Sequence, residues 1–367
     1  MLPGELSYPQ KVRIGDITVR DGFQHEEIWI PTDAKVYYLE ELVLSGVKHL
    51  EVTNFSNPML MPQFKDADEV LKRLRDSKKL SRAGINWHDI VLTVVTIREK
   101  SVDRAVAARK EGWGPDRILM MVSTDEEHHY ANSATTLPQY WTEAKRCIDK
   151  AKDAGMQFNG TVSTIWGSPI SGPTELEEAV KFTRHWLSLG ATDIEHADHD
   201  GSAPPNQVYK YFSMVMSEIP DESRHIAHFH VTRGWGTANV LAALQAGIVN
   251  FEATLGGLGG QQANLLDRVP VGGTGAYYYR DPNVVCLQSI EDMVVMMDEM
   301  GIDTGIDVDR LLDLGTMMEK SIGRRLRSES ILNRRIPKKP REEFRRSGLA
   351  ELKKALREEP GQKFPRD

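Results

Sequence analysis

A closed (β/α)8 TIM barrel is the fold class this sequence predicts, and three observations predict it. Short β-rich runs alternate with helical patterns, giving eight strand candidates over roughly 250 residues, the usual size of one such barrel. Five of the helical patterns stop at a glycine, at Gly46, Gly112, Gly155, Gly190 and Gly247. Glycine is the residue suited to the left-handed turn that follows a helix. The competing architecture, an open doubly wound sheet, would be favoured by a G-x-G-x-x-G phosphate loop after the first strand. The stretch found there, "VRDGFQHEE" (19–27), is not one.

In chain order, "VRIGDITVRD" (12–21) is the first strand candidate, and 33–46 carries the first helical pattern. "HLEVTNF" (49–55) and "DIVLTVVT" (89–96) follow as strands, then a helix over 101–112. "RILMMVS" (117–123), a helix over 140–155, "QFNGTVST" (157–164) and a helix over 174–190 continue the alternation. "TDIEHAD" (192–198), "HIAHFHV" (225–231), a helix over 237–247 and "VNFEATL" (249–255) complete eight strands. Residues 256–289 then form a connection far longer than most, of the kind that is usually functional or disordered, and its density of glycine predicts a mobile flap. The pattern over 290–301 supplies the last barrel helix, and its methionines are expected to fill core space. The barrel is assigned to 11–322 and a basic, partly helical C-terminal extension to 323–367.

Composition narrows the function classes. Of 367 residues, 40% are hydrophobic and 27% charged, as in a soluble globular protein. No apolar run approaches the roughly 20 residues of a membrane span, and the N-terminus lacks the basic and apolar regions of a signal peptide. Two cysteines, Cys147 and Cys286, without paired spacing argue against a disulfide framework or a thiolate zinc site. A cytoplasmic enzyme is the expectation. Residues 320–367 hold 16 Lys/Arg against 7 Asp/Glu, so the body of the chain is acidic and is not expected to bind nucleic acid. The basic tail could contact a polyanion such as the phosphates of a nucleotide-bearing substrate, but packing on a neighbouring subunit is the preferred reading, with a homodimer as the expected assembly.

Barrels of this class carry their chemistry at the C-terminal ends of the strands. Those ends read Arg20-Asp21, Glu51 with Thr53 and Asn54, Thr161 and Ser163, Glu195-His196 with Asp198-His199-Asp200, His228 and His230, and Glu252 with Thr254. So much polar material is not there for packing, since an unpaired buried polar group costs about 1–3 kcal/mol. Residues two apart on a strand share a face, so His228 and His230 can present imidazoles side by side. With Asp21 as carboxylate they suit a divalent ion of the Mg, Mn, Co or Zn kind. Arg20 can sit against an anionic oxygen that develops during reaction, or pair structurally with Glu51 or Asp198, or do both. Asp198 and His196 have one strand parity and could form a base, an outer shell or a satisfied polar network. The run "EEHHY" (126–130) could also bind metal, but is read as a surface loop or helix start because it follows its strand by several residues.

At these residues the sequence resembles the metal-dependent carbon–carbon lyase and synthase superfamily that includes 3-hydroxy-3-methylglutaryl-CoA lyase. "VRDGFQHEE", "LEVTNFSNPMLMPQF", "HFHVTRGWGTANVLAALQAGIVNFEATLGGLGG" and "EDMVVMMDEMGIDTGIDVDRLLDLG" carry the resemblance, over roughly 11–322. It implies a divalent metal held by Asp21, His228 and His230, and Arg20 stabilising an enolate with Gln24, Glu51 and Asp198 as neighbours. It also implies an acyl-CoA as one partner. The departures are equally specific. Gln261 stands where the lyases carry a flap cysteine, Val231 follows the His-x-His, and Ala197-Asp198-His199 replaces a Gly-Asp-Thr run. Ala276 falls where a metal-binding Asn is expected, leaving Asn264, Asn283 or water to substitute, and Cys286 is a candidate for the missing thiol. The expected activity is a metal-dependent cleavage of a 3-hydroxy-acyl-CoA or related 3-hydroxy acid. A synthase condensing acyl-CoA with a 2-oxo acid and a non-catalytic binding protein are the alternatives.

Overall fold

The computed structural model describes residues 8–336, except 25, 27, 60, 169, 261–263, 267, 268 and 272–285. Eight parallel strands close into a barrel in chain order. They are β1 (Arg13–Asp16), β2 (His49–Asn54), β3 (Val91–Val95), β4 (Arg117–Ser123), β5 (Gln157–Ser163), β6 (Asp193–Asp198), β7 (His225–Phe229) and β8 (Asn250–Ala253). Closure is made by β8 on β1, with Arg13 opposite Asn250 and Asp16 opposite Ala253. This is the (β/α)8 barrel that the sequence predicts, with each strand inside its predicted run.

The helices, again in chain order, are α1 (Thr32–Leu44), α2 (Ala67–Arg75), α3 (Lys78–Arg82), α4 (Glu99–Lys110), α5 (Glu126–Ser133) and α6 (Leu137–Asp153). They continue with α7 (Leu176–Leu189), α8 (Pro205–Glu218), α9 (Gly236–Gln245), α10 (Ile290–Glu299), α11 (Val308–Ile322) and α12 (Glu329–Asn333). All five predicted stop glycines have positive φ, from 68° to 109°. Gly46 shows why: besides its φ of 105°, a Cβ there would lie 2.3 Å from the Gly305 carbonyl oxygen. Met293 and Met297 of α10 are fully buried, as expected of core methionines.

The apolar core lies between strands and helices. At Gly160 of β5 the missing Cβ makes room for the Trp186 ring, which would otherwise stand 2.5 Å away. The barrel interior is polar instead. Near its N-terminal end Arg117 donates from Nε to Thr93 Oγ1 (2.9 Å) and from Nη1 to Asp193 Oδ2 (2.8 Å). Asn159 donates to the other Asp193 oxygen at 2.7 Å. Buried charges that remain in a folded protein are paired in this way.

Two boundaries differ from expectation. The first strand stops at Asp16 rather than running to 21, because the Asp16 carboxylate accepts from Thr18 N (2.9 Å) and Thr18 Oγ1 (2.7 Å) and turns the chain. The seventh stops at Phe229, and His230 forms an isolated antiparallel bridge with Leu287 instead. Of the long connection, β9 (Asn264–Leu266) and β10 (Val269–Val271) pair antiparallel. Gln261, Ala276, the three tyrosines 277–279 and Asn283 lie outside the described residues. So does most of the predicted basic extension, from 337 onward. Leu326 and Ile331 are buried, and the compact barrel unit extends to Leu332. Among the described residues, no helix is long and apolar enough to cross a membrane.

Candidate active site

Arg20 and Asp21 stand on a five-residue π-helical turn, Thr18–Gly22, every residue of which is buried. The turn is pinned from both sides. Thr18 Oγ1 donates to Asp16 and also accepts the Leu255 N–H at 2.8 Å, while Asp21 N reaches the Ile17 carbonyl at 2.7 Å. π turns recur at functional sites because they rotate side chains away from helical register. Here the turn carries two charged groups over the mouth of the barrel.

The Arg20 guanidinium is held by two carboxylates. Its Nη1 lies 3.0 Å from Asp21 Oδ1, and its Nε donates to Glu51 Oε2 at 2.5 Å. Burial works against its charge, but Asp21 and Glu51 hold it above its ordinary value, so it stays cationic. Burial pushes Glu51 up to about 7 against the pull of Arg20, with Glu252 and Asp21 adding to the rise.

His228 sits between two sets of carboxylates. Its Nε2 is 3.6 Å from Asp21 Oδ2, while its Nδ1 is 3.4 Å from Glu195 Oε1 and 3.6 Å from Glu252 Oε2. Burial, then the neighbouring Glu252 and Glu51, push Glu195 well above the usual carboxylate range. Glu252 goes the other way: against the effect of burial, His228 and then Arg117 and Arg20 hold it low. His230 stands beside His228, with ring centroids 5.3 Å apart.

Asp21, His228 and His230 each offer a ligand atom, and these atoms lie within 4.8 Å of one another, all buried. Two imidazoles and one carboxylate are a donor set suited to a divalent transition metal or Mg. Asp21, Glu51, Glu195 and Glu252 face Arg20 and Arg117, an excess of buried carboxylates over guanidinium groups. Glu51 Oε1, Glu195 Oε2 and Glu252 Oε2 have no hydrogen-bond partner among the described residues. A divalent cation fits both the donors and the imbalance.

A cavity of about 130 Å³ opens beside this cluster, lined by Arg20, Asp21, Glu195, His228 and His230 on one side. Its other wall is α5, with His128, His129, Asn132 and Ser133, backed by Tyr140 and Met121. That corrects the reading of 126–130 as surface: His128 and His129 are 2% and 3% exposed. Burial lowers His128 to about 2 and His129 to about 4, so both are neutral imidazoles. His129 packs edge-on against Tyr140 at 4.6 Å, and His128 against His199 at 4.7 Å. The adjacent pair of histidines on a short polar run was the available signal. What it lacked was the placement of α5, an extra helix in the β4-to-α6 connection.

The residues the sequence singled out separate into two groups. Arg20, Asp21, His228 and His230 come together on the cavity, and Glu51 stands directly behind Arg20. Gln24 follows the π turn, and its amide atoms are buried with no partner among the described residues. Asp198 does not line the cavity. Glu195 and Ala197 take the inward positions of β6, so alternation turns His196 and Asp198 toward the helices. Asp198 Oδ2 accepts from Ala203 N at 3.3 Å and thereby shapes the following loop. His196 is bonded between Tyr211 Oη (2.8 Å) and His225 Nδ1 (3.0 Å). Cys286 is also off the cavity, its Sγ 3.3 Å from an Arg327 nitrogen.

The chain is similar along most of its length to known proteins. The hydroxymethylglutaryl-CoA lyase of Bacillus subtilis (strain 168) is 27% identical over 327 residues, covering 89% of this chain and 98% of that protein. The (R)-citramalyl-CoA lyase of Chloroflexus aurantiacus is 27% identical over 318 residues, with 86% and 93% covered. A solved structure of an HMG-CoA lyase from Acenitobacter baumannii, in complex with coenzyme A and 3-methylmalate, superposes with a TM-score of 0.77 at 29% identity. It covers 92% of this chain and 99% of that one. A match to the HMGL-like family takes in residues 11–318, the whole barrel with its metal-type cluster, and the chain belongs to that family.

Proposed function

We propose that this protein is a divalent-metal-dependent carbon–carbon lyase acting on a 3-hydroxy-acyl-CoA or related 3-hydroxy acid. The observation that carries the reading is the buried convergence of Asp21, His228 and His230 beside Arg20. Asp21, His228 and His230 would hold the ion. Bound there, it would supply Lewis acidity toward the hydroxyl and carbonyl oxygens of the substrate.

The chain's own residues do the rest. Loss of the 3-hydroxyl proton to water drives the C2–C3 bond to break; its electron pair passes into the enolate of the acyl group, which takes up a proton from water to give the shorter acyl-CoA beside a carbonyl product. Arg20 meets the developing enolate oxygen, and Asp21 and Glu51 already fix its guanidinium, so little reorganisation accompanies the charge. Glu51 orients Arg20, Gln24 stands beside the turn with its amide unengaged among the described residues, and Asp198 acts through the loop it holds. The lyase names of the relatives support a CoA thioester as the substrate. A homodimer working in the cytoplasm completes the proposal.

The test is titration of Mn²⁺ into metal-stripped protein, with free Mn²⁺ followed by EPR, for wild type, Asp21→Ala and His230→Ala. Tight binding in the wild type, weakened at least tenfold in both variants, is expected. A panel of 3-hydroxy-acyl-CoA thioesters then identifies the substrate by release of a shorter acyl-CoA and a carbonyl compound. Equal binding in all three proteins, or none, would overturn the metal centre and with it the lyase. Free CoA appearing from acetyl-CoA plus a 2-oxo acid would mark a condensing synthase instead.

A further inference from the structure

We infer that Glu195 and Glu252 are positioning residues that fix His228 in its Nδ1–H form, so that its Nε2 lone pair is aimed at Asp21 and the centre of the cluster. The inference rests on the proposed metal site for its functional meaning, but its geometry stands by itself.

The two nitrogens of His228 meet opposite needs. Nε2 faces Asp21 Oδ2 at 3.6 Å, and Nδ1 faces two carboxylates, Glu195 Oε1 at 3.4 Å and Glu252 Oε2 at 3.6 Å. His228 is 3% exposed, and Nδ1 makes no hydrogen bond among the described residues, so these carboxyl oxygens are the charged groups that face it. A lone pair on Nδ1 would oppose the Glu252 carboxylate in a buried setting, whereas a proton there attracts that carboxylate and the nearby Glu195 oxygen alike. A ligating histidine generally hands its second N–H to a carboxylate or carbonyl, which sets the ring's orientation and raises its basicity. Here two strands share that task, Glu195 from β6 and Glu252 from β8, one on each flank of β7. The carboxylates therefore belong to the site, although neither is a ligand of the Asp21–His228–His230 set.

Long-range ¹H–¹⁵N spectra of the metal-free, full-length protein labelled at its histidines read the tautomer directly. His228 is assigned by the signal lost in His228→Asn. We expect the Nδ1–H pattern in the wild type, and a shift toward the other tautomer or a mixture in Glu195→Gln and Glu252→Gln. Mn²⁺ affinity measured on the same samples should fall about 10- to 100-fold in those variants. Glu291→Gln, which removes a buried carboxylate bonded to Gly256 N far along the chain, should change neither reading. An Nε2–H pattern in the wild type, or unchanged tautomer and affinity in both glutamine variants, overturns the inference. A wild type that binds no Mn²⁺ but shows the Nδ1–H pattern, lost in the variants, would overturn the proposed function and leave the clamp standing.

Discussion

Arg20 shows how much of the site is decided by single side chains. Its guanidinium is 2% exposed and braced by Asp21 and Glu51. A planar fork can satisfy both carboxylates and still present a face to the cavity, which a point-charged ammonium cannot. Arg20→Lys should therefore lower kcat about 100- to 1,000-fold, equivalent to roughly 3–4 kcal/mol of lost transition-state stabilisation. Mn²⁺ binding should be nearly unchanged. Steady-state kinetics beside the Mn²⁺ titration check this, and a change confined to KM would place Arg20 in substrate binding alone. The convergence of Arg20, Asp21, His228 and His230 could be anticipated from sequence, because charged and imidazole groups at strand ends have little packing reason to be there. Asp198 falls off the cavity. Strand alternation defines two faces of β6 but not which one turns inward, and closure assigned that place to Glu195 and Ala197. His128 and His129 were legible only as residues, since their role as cavity wall depends on where α5 docks.

At the scale of elements, the π-helical turn Thr18–Gly22 is the piece on which the site depends. Its hydroxyl pin is Thr18, which satisfies the Asp16 carboxylate on one side and the Leu255 N–H on the other. Thr18→Val keeps the shape and removes both bonds, leaving two buried polar groups unmatched. Denaturant unfolding should show a loss of about 1–3 kcal/mol, accompanied by weaker Mn²⁺ binding as Asp21 loses its fixed position. Undiminished stability would mean that the Asp16 carboxylate alone sets the turn. The same element explains where reading of the fold fell short. Ile17, Thr18 and Val19 are β-branched and score as strand, yet the local bonds of the Asp16 side chain win over propensity. Elsewhere the strands and the helix-ending glycines were plain. Each rests on short-range chemistry, alternation or a positive φ, that needs no knowledge of the packed whole.

Across the whole molecule, buried titratable groups pull the stability in opposite directions as pH changes. Burial lowers His128 and His49 to about 2 and His129 to about 4, from an ordinary 6.5. Between those values and 6.5 the unfolded chain binds more protons. The contribution of these imidazoles is therefore complete above 6.5 and is lost progressively as pH falls. Glu291 behaves in reverse. Burial raises it from 4.5 to about 8 although Gly256 N and Ser289 Oγ both donate to it, each at 2.8 Å. The folded chain then holds the extra proton between 4.5 and 8. That contribution is complete below 4.5 and is lost as pH rises toward and through 8, at about 1.4 kcal/mol per unit of displacement. Glu291→Gln removes the second trend and leaves the first. Relative to wild type, the variant should gain stability from pH 5 to about pH 8 and level off above it, while keeping the same decline on the acid side. Thermal unfolding of both proteins across that range measures the difference. A constant offset at every pH would show that Glu291 is ionised throughout and that its two donors outweigh its burial.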